Sequence, residues 1–166
     1  MEIFQASIQS WQVFYATVAA VSATLTGLLF VSLSLNRDRL KEQNPRTIIG
    51  RARQTFGDFL YVLMISLVFI VPHQLPLSLS IALLVLGLSR GIAFFRQAAI
   101  SLKNKSISLL ILVKEIGLPF TASLGLIIVA IAINFGVMDA IYGLVAVIAA
   151  LLVTACWNAW LLLIEE

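Results

Sequence analysis

Asp58 and Arg90 are the two residues whose type and position could support chemistry, because each interrupts a long apolar segment. A charged side chain in the hydrocarbon core of a membrane is costly, so such residues are usually paired or functional. Between the two segments, Pro72 and Pro76 predict a tight turn. If the chain turns near Gln74, Asp58 and Arg90 lie sixteen positions on either side of it. Antiparallel helices then place them at the same depth, and we predict an intramembrane ion pair.

This ion pair has two interpretations. In the first it is structural and lies near a membrane surface, where the long arginine side chain can also extend toward the headgroups. In the second, Asp58 titrates or Arg90 binds an anion in a water-filled path between helices. The variant Asp58→Asn separates them: lost assembly indicates structure, whereas lost flux in an intact protein indicates function.

Side chains for catalysis or metal binding are scarce. The 166 residues include one histidine, His73, one cysteine, Cys156, and eight carboxylates. The sequence contains no H-E-x-x-H metal motif, no G-x-x-x-x-G-K-[ST] phosphate loop and no CxxC pair. We therefore expect no enzymatic activity, no metal and no cofactor.

The composition predicts the elements that position these residues. Apolar residues make up 61% of the chain and charged residues 11%, with a mean hydropathy of +1.04, whereas soluble domains are roughly half apolar and a quarter charged. About 20 residues of helix cross a membrane. We predict one all-α domain, 1–166, an integral membrane bundle of about five transmembrane helices. The predicted spans are about 11–35, 56–71, 77–95, 118–135 and 140–164.

The eleven lysines and arginines predict the orientation of the spans. Ten of them lie in two segments between spans, 36–55 and 96–117, and the other is Arg90, near the end of the third span. Short basic loops stay in the cytoplasm, so both segments are predicted to be cytoplasmic, with the N-terminus outside and the C-terminus in the cytoplasm. In this topology the basic residues that give the net charge of +3 lie beside anionic lipid headgroups. No nucleic-acid partner is therefore expected.

Small residues lie at helical spacing along one side of the first span. They are Ala16, Ala20, Ala23 and Gly27. Small residues let another helix backbone approach closely. We predict a helix-packing face here, directed into the bundle or toward another subunit.

Polar residues could form a path through the membrane. Ser22 and Thr26 lie beside the small residues, and Asn134 lies near the end of the fourth span. Such groups commonly form hydrogen bonds between helices. We expect these residues to form such hydrogen bonds, and the alternative is that they line a permeation path through the membrane.

The first span begins with the aromatic-rich stretch Trp11-Gln12-Val13-Phe14-Tyr15 and continues as ATLTGLLFVSLSLN over residues 23–36. It resembles the opening of a group of small, uncharacterised bacterial multi-pass membrane proteins. That group shows an aromatic start, an alanine-rich helix, a G-L-x-F-V motif and an S-x-N exit, and some members carry the automatic label "modulator of FtsH protease". The resemblance covers the first span and implies a location in the bacterial inner membrane.

Two functions fit this sequence. The first is a non-enzymatic membrane module that forms a homo-oligomer or binds another membrane protein through the small residues of the first span. The second is an oligomeric ion channel or small transporter with a path lined by that span. Five helices are too few to enclose a hydrated pore in one copy, so the second function requires several copies.

Overall fold

The computed structural model describes residues 2–35, 45–72, 74–103, 109–137 and 139–164. All regular structure in these residues is α-helical, which confirms the all-α prediction. The five helices are α1 (Glu2–Leu35), α2 (Pro45–Ile70), α3 (Pro76–Lys103), α4 (Leu109–Asn134) and α5 (Ala140–Ile164). A helix satisfies its backbone groups within one segment, as the interior of a membrane requires.

Four of these helices are long and apolar enough to cross a membrane. Their apolar stretches are Ile8–Leu35, Ala52–Ile70, Pro76–Ala93 and Ala140–Leu161. In α4, the apolar stretch with described side chains, Thr121–Asn134, is shorter. The four long helices indicate a multi-pass membrane protein, and a fifth crossing by α4 stays a prediction.

Three helices begin earlier than the predicted spans. Helix α1 begins at Glu2 instead of near Trp11, α2 begins at Pro45, and α4 begins at Leu109 instead of near Leu118. The spans were predicted from apolar character, but a helix continues through polar residues when each residue adds a hydrogen bond. The two predicted cytoplasmic segments are therefore partly helical. Residues 36–44 and 104–108 lie outside the described residues.

Proline stands at the first position of α2 and of α3. A proline fits there because the N–H that it lacks has no partner within the helix. At the start of α3, the Leu75 carbonyl accepts hydrogen bonds from the Leu79 N–H at 3.1 Å and from the Ser78 hydroxyl at 2.8 Å. Helix α2 ends at Ile70, Pro72 follows it, and Pro76 begins α3, so the helix breaks between the two prolines as predicted.

Helix α4 ends in a Schellman motif at Gly136. The Val137 N–H donates to the Ala132 carbonyl and the Gly136 N–H to the Ile133 carbonyl, both at 3.0 Å. Gly136 has a φ of +81°, a left-handed conformation that costs glycine little. This motif lets α5 start at Ala140 after the short turn that the sequence predicts.

Replacing Gly136 with alanine is expected to lower the free energy of unfolding by about 1 kcal/mol, because Cβ is strained at positive φ. The matched control is Gly143→Ala. There a Cβ would lie 3.5 Å from Cγ2 of Val129, an ordinary contact, and alanine favours the helix, so we expect no loss. Unfolding of the purified protein in mixed detergent micelles, followed by circular dichroism, measures both. Equal losses would contradict the role of the turn.

The chain divides into two compact units, and each is described by itself. The α3/α4 unit consists of Met1–Ser7 and Pro72–Val147, and the α1/α2 unit consists of Ile8–Val71 and Ile148–Glu166. In the α3/α4 unit, α3 and α4 pack along their lengths. In the α1/α2 unit, α1 and α2 pack with the C-terminal part of α5.

Large apolar side chains form the core of the α1/α2 unit. Leu29, Phe59 and Ala155 are buried together, with Leu25, Leu33, Phe56 and Leu152 packed against them. Further along, the ring of Tyr15 stacks on that of Phe69, with 4.1 Å between centroids and 13° between planes. Because Tyr15 meets Phe69 and Leu29 meets Phe59, α1 and α2 run antiparallel.

Candidate functional site: polar residues buried in the helices

Buried polar side chains define the candidate site, since a polar group within a membrane span is costly. In the described part of the chain these residues are Ser22, Thr55, Asp58, Ser66, Ser80, Arg90 and Ser123. Most carry a hydroxyl group, and a hydroxyl can donate to a carbonyl of its own helix. Ser66 does so, to the Val62 carbonyl at 2.9 Å. Asp58 and Arg90 carry the two charges.

Asp58 is 3% exposed and belongs to the buried side of α2, with Thr55, Phe59 and Val62. Their spacing of three and four residues places them on one helix face. Arg90 is 6% exposed on α3. Both predicted ionisable residues are therefore within the protein interior. They belong to different units, and the ion pair between them stays a prediction.

Helices α3 and α4 approach closely at Gly87. A Cβ placed on Gly87 would lie 2.9 Å from Cγ1 of Ile127 and 3.4 Å from the Ser123 carbonyl oxygen. One turn later, a Cβ on Gly91 would lie 4.0 Å from the Ser123 hydroxyl. Glycine leaves the space that the neighbouring backbone occupies here.

Ser80 joins the same two helices through a hydrogen bond. Its hydroxyl is buried and donates to the Ala130 carbonyl of α4 at 2.7 Å. Hydrogen bonds between membrane helices contribute about 0.6 kcal/mol on average. Ser80 and Gly87 lie seven positions apart, or about two helical turns, so they share one face of α3.

These packing residues were not among the predicted ones, although Gly87-x-x-x-Gly91 is a small-xxx-small motif that could have identified them. The five residues GLSRG also fit the G-x-S-x-G pattern of hydrolase nucleophiles. That chemistry requires a strained strand-to-helix turn, whereas residues 87–91 lie within α3. Ser89 is exposed, and its hydroxyl donates to the Leu86 carbonyl at 2.9 Å. Gly87 and Gly91 of this pattern lie at the contact between α3 and α4.

The small-residue face of α1 is exposed in the described structure. Its members are Ala16, Ala20, Ala23 and Gly27, and a Cβ on Gly27 would meet no atom within 4 Å. The residues that α1 buries are Ile8, Tyr15, Val18, Ala19, Ser22 and Leu29. At 100° per residue, the centres of the two sets are about 120° apart around the helix. Helix α1 therefore packs within its unit through another face, and contact of the small-residue face with another subunit stays a prediction.

The residues of the predicted polar path differ in their surroundings. Ser22 is buried, and its hydroxyl has no hydrogen-bond partner among the described residues; the same holds for the Tyr15 hydroxyl. Thr26 is half-buried and donates to the Ser22 carbonyl at 2.7 Å. Asn134 is exposed at the end of α4, in the other unit. The structure thus places Ser22 and Thr26 one turn apart on α1.

Metal-binding residues do not cluster in the described part of the chain. No group of three or more His, Cys, Asp or Glu side chains there could hold a metal ion. Cys156 is exposed on α5, and His73 lies outside the described residues.

The four long apolar helices indicate a small all-helical protein of the multi-pass membrane class. No family model matches the chain, and no match is found among curated proteins or solved structures. The resemblance of its first span to small bacterial membrane proteins therefore stays a prediction.

Proposed function

We propose that this chain is a non-enzymatic integral membrane protein that assembles with a second copy or with another membrane protein. The proposal includes five spans, an outer N-terminus and a cytoplasmic C-terminus in the bacterial inner membrane. The four long apolar helices and the placement of the basic residues between spans support this topology. The location in the inner membrane is supported by the resemblance of the first span alone.

The observation that carries the assembly is the exposed small-residue face of α1. Helix α1 already packs on its own chain through Tyr15 and Leu29. Its second face has open space above Gly27. In lipid, helices associate through close packing, and small residues permit the closest approach. This face therefore suits a helix from another subunit.

Photo-cross-linking in native membranes tests the assembly. A photoreactive residue at Ala20 is expected to give protein cross-links, either to a second copy or to a partner, and the matched control is Ala149, an exposed alanine of α5. Native mass measurement in detergent then tells a homo-oligomer from a complex with a partner. Cross-links to lipid alone from position 20 would contradict the proposal.

The substitution Ala20→Leu is expected to weaken the association about tenfold, because it fills the space that a close helix contact needs. Ala149→Leu makes the same change outside the proposed contact and is expected to leave the association unchanged. The yield of the cross-link from position 23 measures both. Equal yields from the two variants would count against α1 as the contact.

A second candidate function is an oligomeric ion channel or small transporter. The observation that favours it is the buried Ser22 hydroxyl, which has no partner among the described residues, as expected for a group beside a hydrated path. The Thr26 hydroxyl donates within its own helix, which favours the first function. Ion flux into liposomes that is lost in Ser22→Ala would select the second.

A further inference from the structure

Arg53 is an exposed charged residue within a stretch of α2 that is long and apolar enough to cross a membrane. It lies one residue after the start of the apolar stretch Ala52–Ile70 of α2. Arg90 also lies in such a stretch but is buried in the protein. An exposed guanidinium on a membrane helix meets lipid, so its counter-charge comes from the membrane.

The face of α2 that carries Arg53 is opposite to the face that this helix buries. Thr55, Phe59, Val62 and Ser66 mark the buried side of α2. At 100° per residue, Arg53 lies about 150° from the centre of these four residues. Further along the helix the exposed side is apolar, with Met64 47% and Leu67 45% exposed.

Two glycines leave room beside Arg53. Gly50 lies one turn before it and Gly57 one turn after it, and a Cβ on either would meet no atom within 4 Å. The side of α2 that carries Arg53 therefore has open space above Gly50 and above Gly57. A bulky polar group could approach the backbone at these two glycines.

The positive charge of Arg53 favours an anionic ligand at this side of α2. A long arginine side chain near the end of a span reaches the headgroup level. Its planar guanidinium pairs with phosphate through two parallel hydrogen bonds. Apolar side chains deeper on the same helix side match the acyl chains attached to such a phosphate.

We propose that Gly50, Arg53 and Gly57, here called the α2 lipid surface, bind the headgroup of an anionic phospholipid. Arg53 binds the phosphate, the glycines accommodate the headgroup, and the acyl chains pack along Met64 and Leu67. This contact is separate from the assembly through α1, and either can fail without the other.

Native mass spectrometry of the full chain in detergent, titrated with phosphatidylglycerol or phosphatidylcholine, tests the α2 lipid surface. The unmodified chain is expected to retain phosphatidylglycerol in preference. Arg53→Gln is expected to weaken phosphatidylglycerol binding about fivefold, since one basic residue near the surface contributes about that factor. Arg53→Lys keeps the positive charge but cannot form the two parallel hydrogen bonds of a guanidinium. It is therefore expected to weaken phosphatidylglycerol binding less.

The matched control is Arg96→Gln, which removes the same charge from an exposed position of α3 beyond its apolar stretch Pro76–Ala93. It is expected to weaken binding less than Arg53→Gln does, because it leaves the α2 lipid surface unchanged. Gly57→Leu fills the open space without changing the charge and is expected to weaken binding as well. Equal losses in Arg53→Gln and Arg96→Gln, or equal retention of the two lipids, would overturn the proposal.

Discussion

Replacing Asp58 alone with leucine is expected to lower the free energy of unfolding by about 3–5 kcal/mol. The change removes the predicted counter-charge of the Arg90 guanidinium, which is only 6% exposed. Arg90→Leu is expected to cost a similar amount for the converse reason, since the Asp58 carboxylate is 3% exposed. Restoring the solvation of either charge would require water or a headgroup to enter the bundle, which is costly in hydrocarbon.

The double variant Asp58→Leu/Arg90→Leu is expected to recover most of that loss, because apolar side chains often replace a buried pair at little cost. Unfolding of all four proteins in mixed micelles closes the double-mutant cycle. Asp139→Leu, at an exposed acidic position directly before α5, is the control and is expected to cost only about 1 kcal/mol, the contribution of a helix N-cap. Additive losses in the double variant would show that Asp58 and Arg90 do not interact.

The sequence predicts the helices well because membrane spans are recognised by apolar length alone. Apolar length does not indicate which side of each helix packs against the protein. Helix α1 is apolar on every side, so its sequence does not distinguish the face with Ala20 and Gly27 from the face with Tyr15 and Ser22. Tyr15 packs inside because its ring stacks on Phe69 of α2, a contact between residues far apart in the sequence.

Arg53 and Arg90 show the same limit for charged residues. Both arginines lie in apolar stretches, and the rotation of each helix decides that Arg90 is buried and Arg53 is exposed. Arg53 was counted with the basic segment 36–55 because the predicted span began at Phe56. The part of α2 that is long and apolar enough to cross a membrane, Ala52–Ile70, includes Arg53.

The local sequence of α3 does not reveal which residues of α4 it contacts. Gly87 and Gly91 are recognisable as small residues, but only the structure shows that Ser123 and Ile127 face them. Gly87 lies at the tighter contact and Gly91 at the looser one. The same substitution is therefore expected to change the free energy of unfolding differently at the two positions.

Replacing Gly87 with leucine is expected to destabilise the chain by about 3 kcal/mol, the upper range for overpacking a close contact. Even the Cβ would lie 2.9 Å from Ile127 Cγ1 and 3.3 Å from Leu126 Cβ. Neither atom lies at the flexible end of a side chain, so α3 and α4 would have to separate. The hydrogen bond from Ser80 to the Ala130 carbonyl would lengthen with them.

Alanine at the same two glycines gives the sharper comparison, because each change adds one methyl group and improves helix propensity by about 1 kcal/mol. At Gly91 the nearest atom to the added Cβ is the Ser123 hydroxyl oxygen at 4.0 Å, so Gly91→Ala is expected to be neutral or stabilising. At Gly87 the steric cost exceeds the gain, and Gly87→Ala is expected to destabilise. Unfolding free energies in mixed micelles report the sign of each change. A stabilising Gly87→Ala would mean that α3 and α4 are not held in close contact at this position.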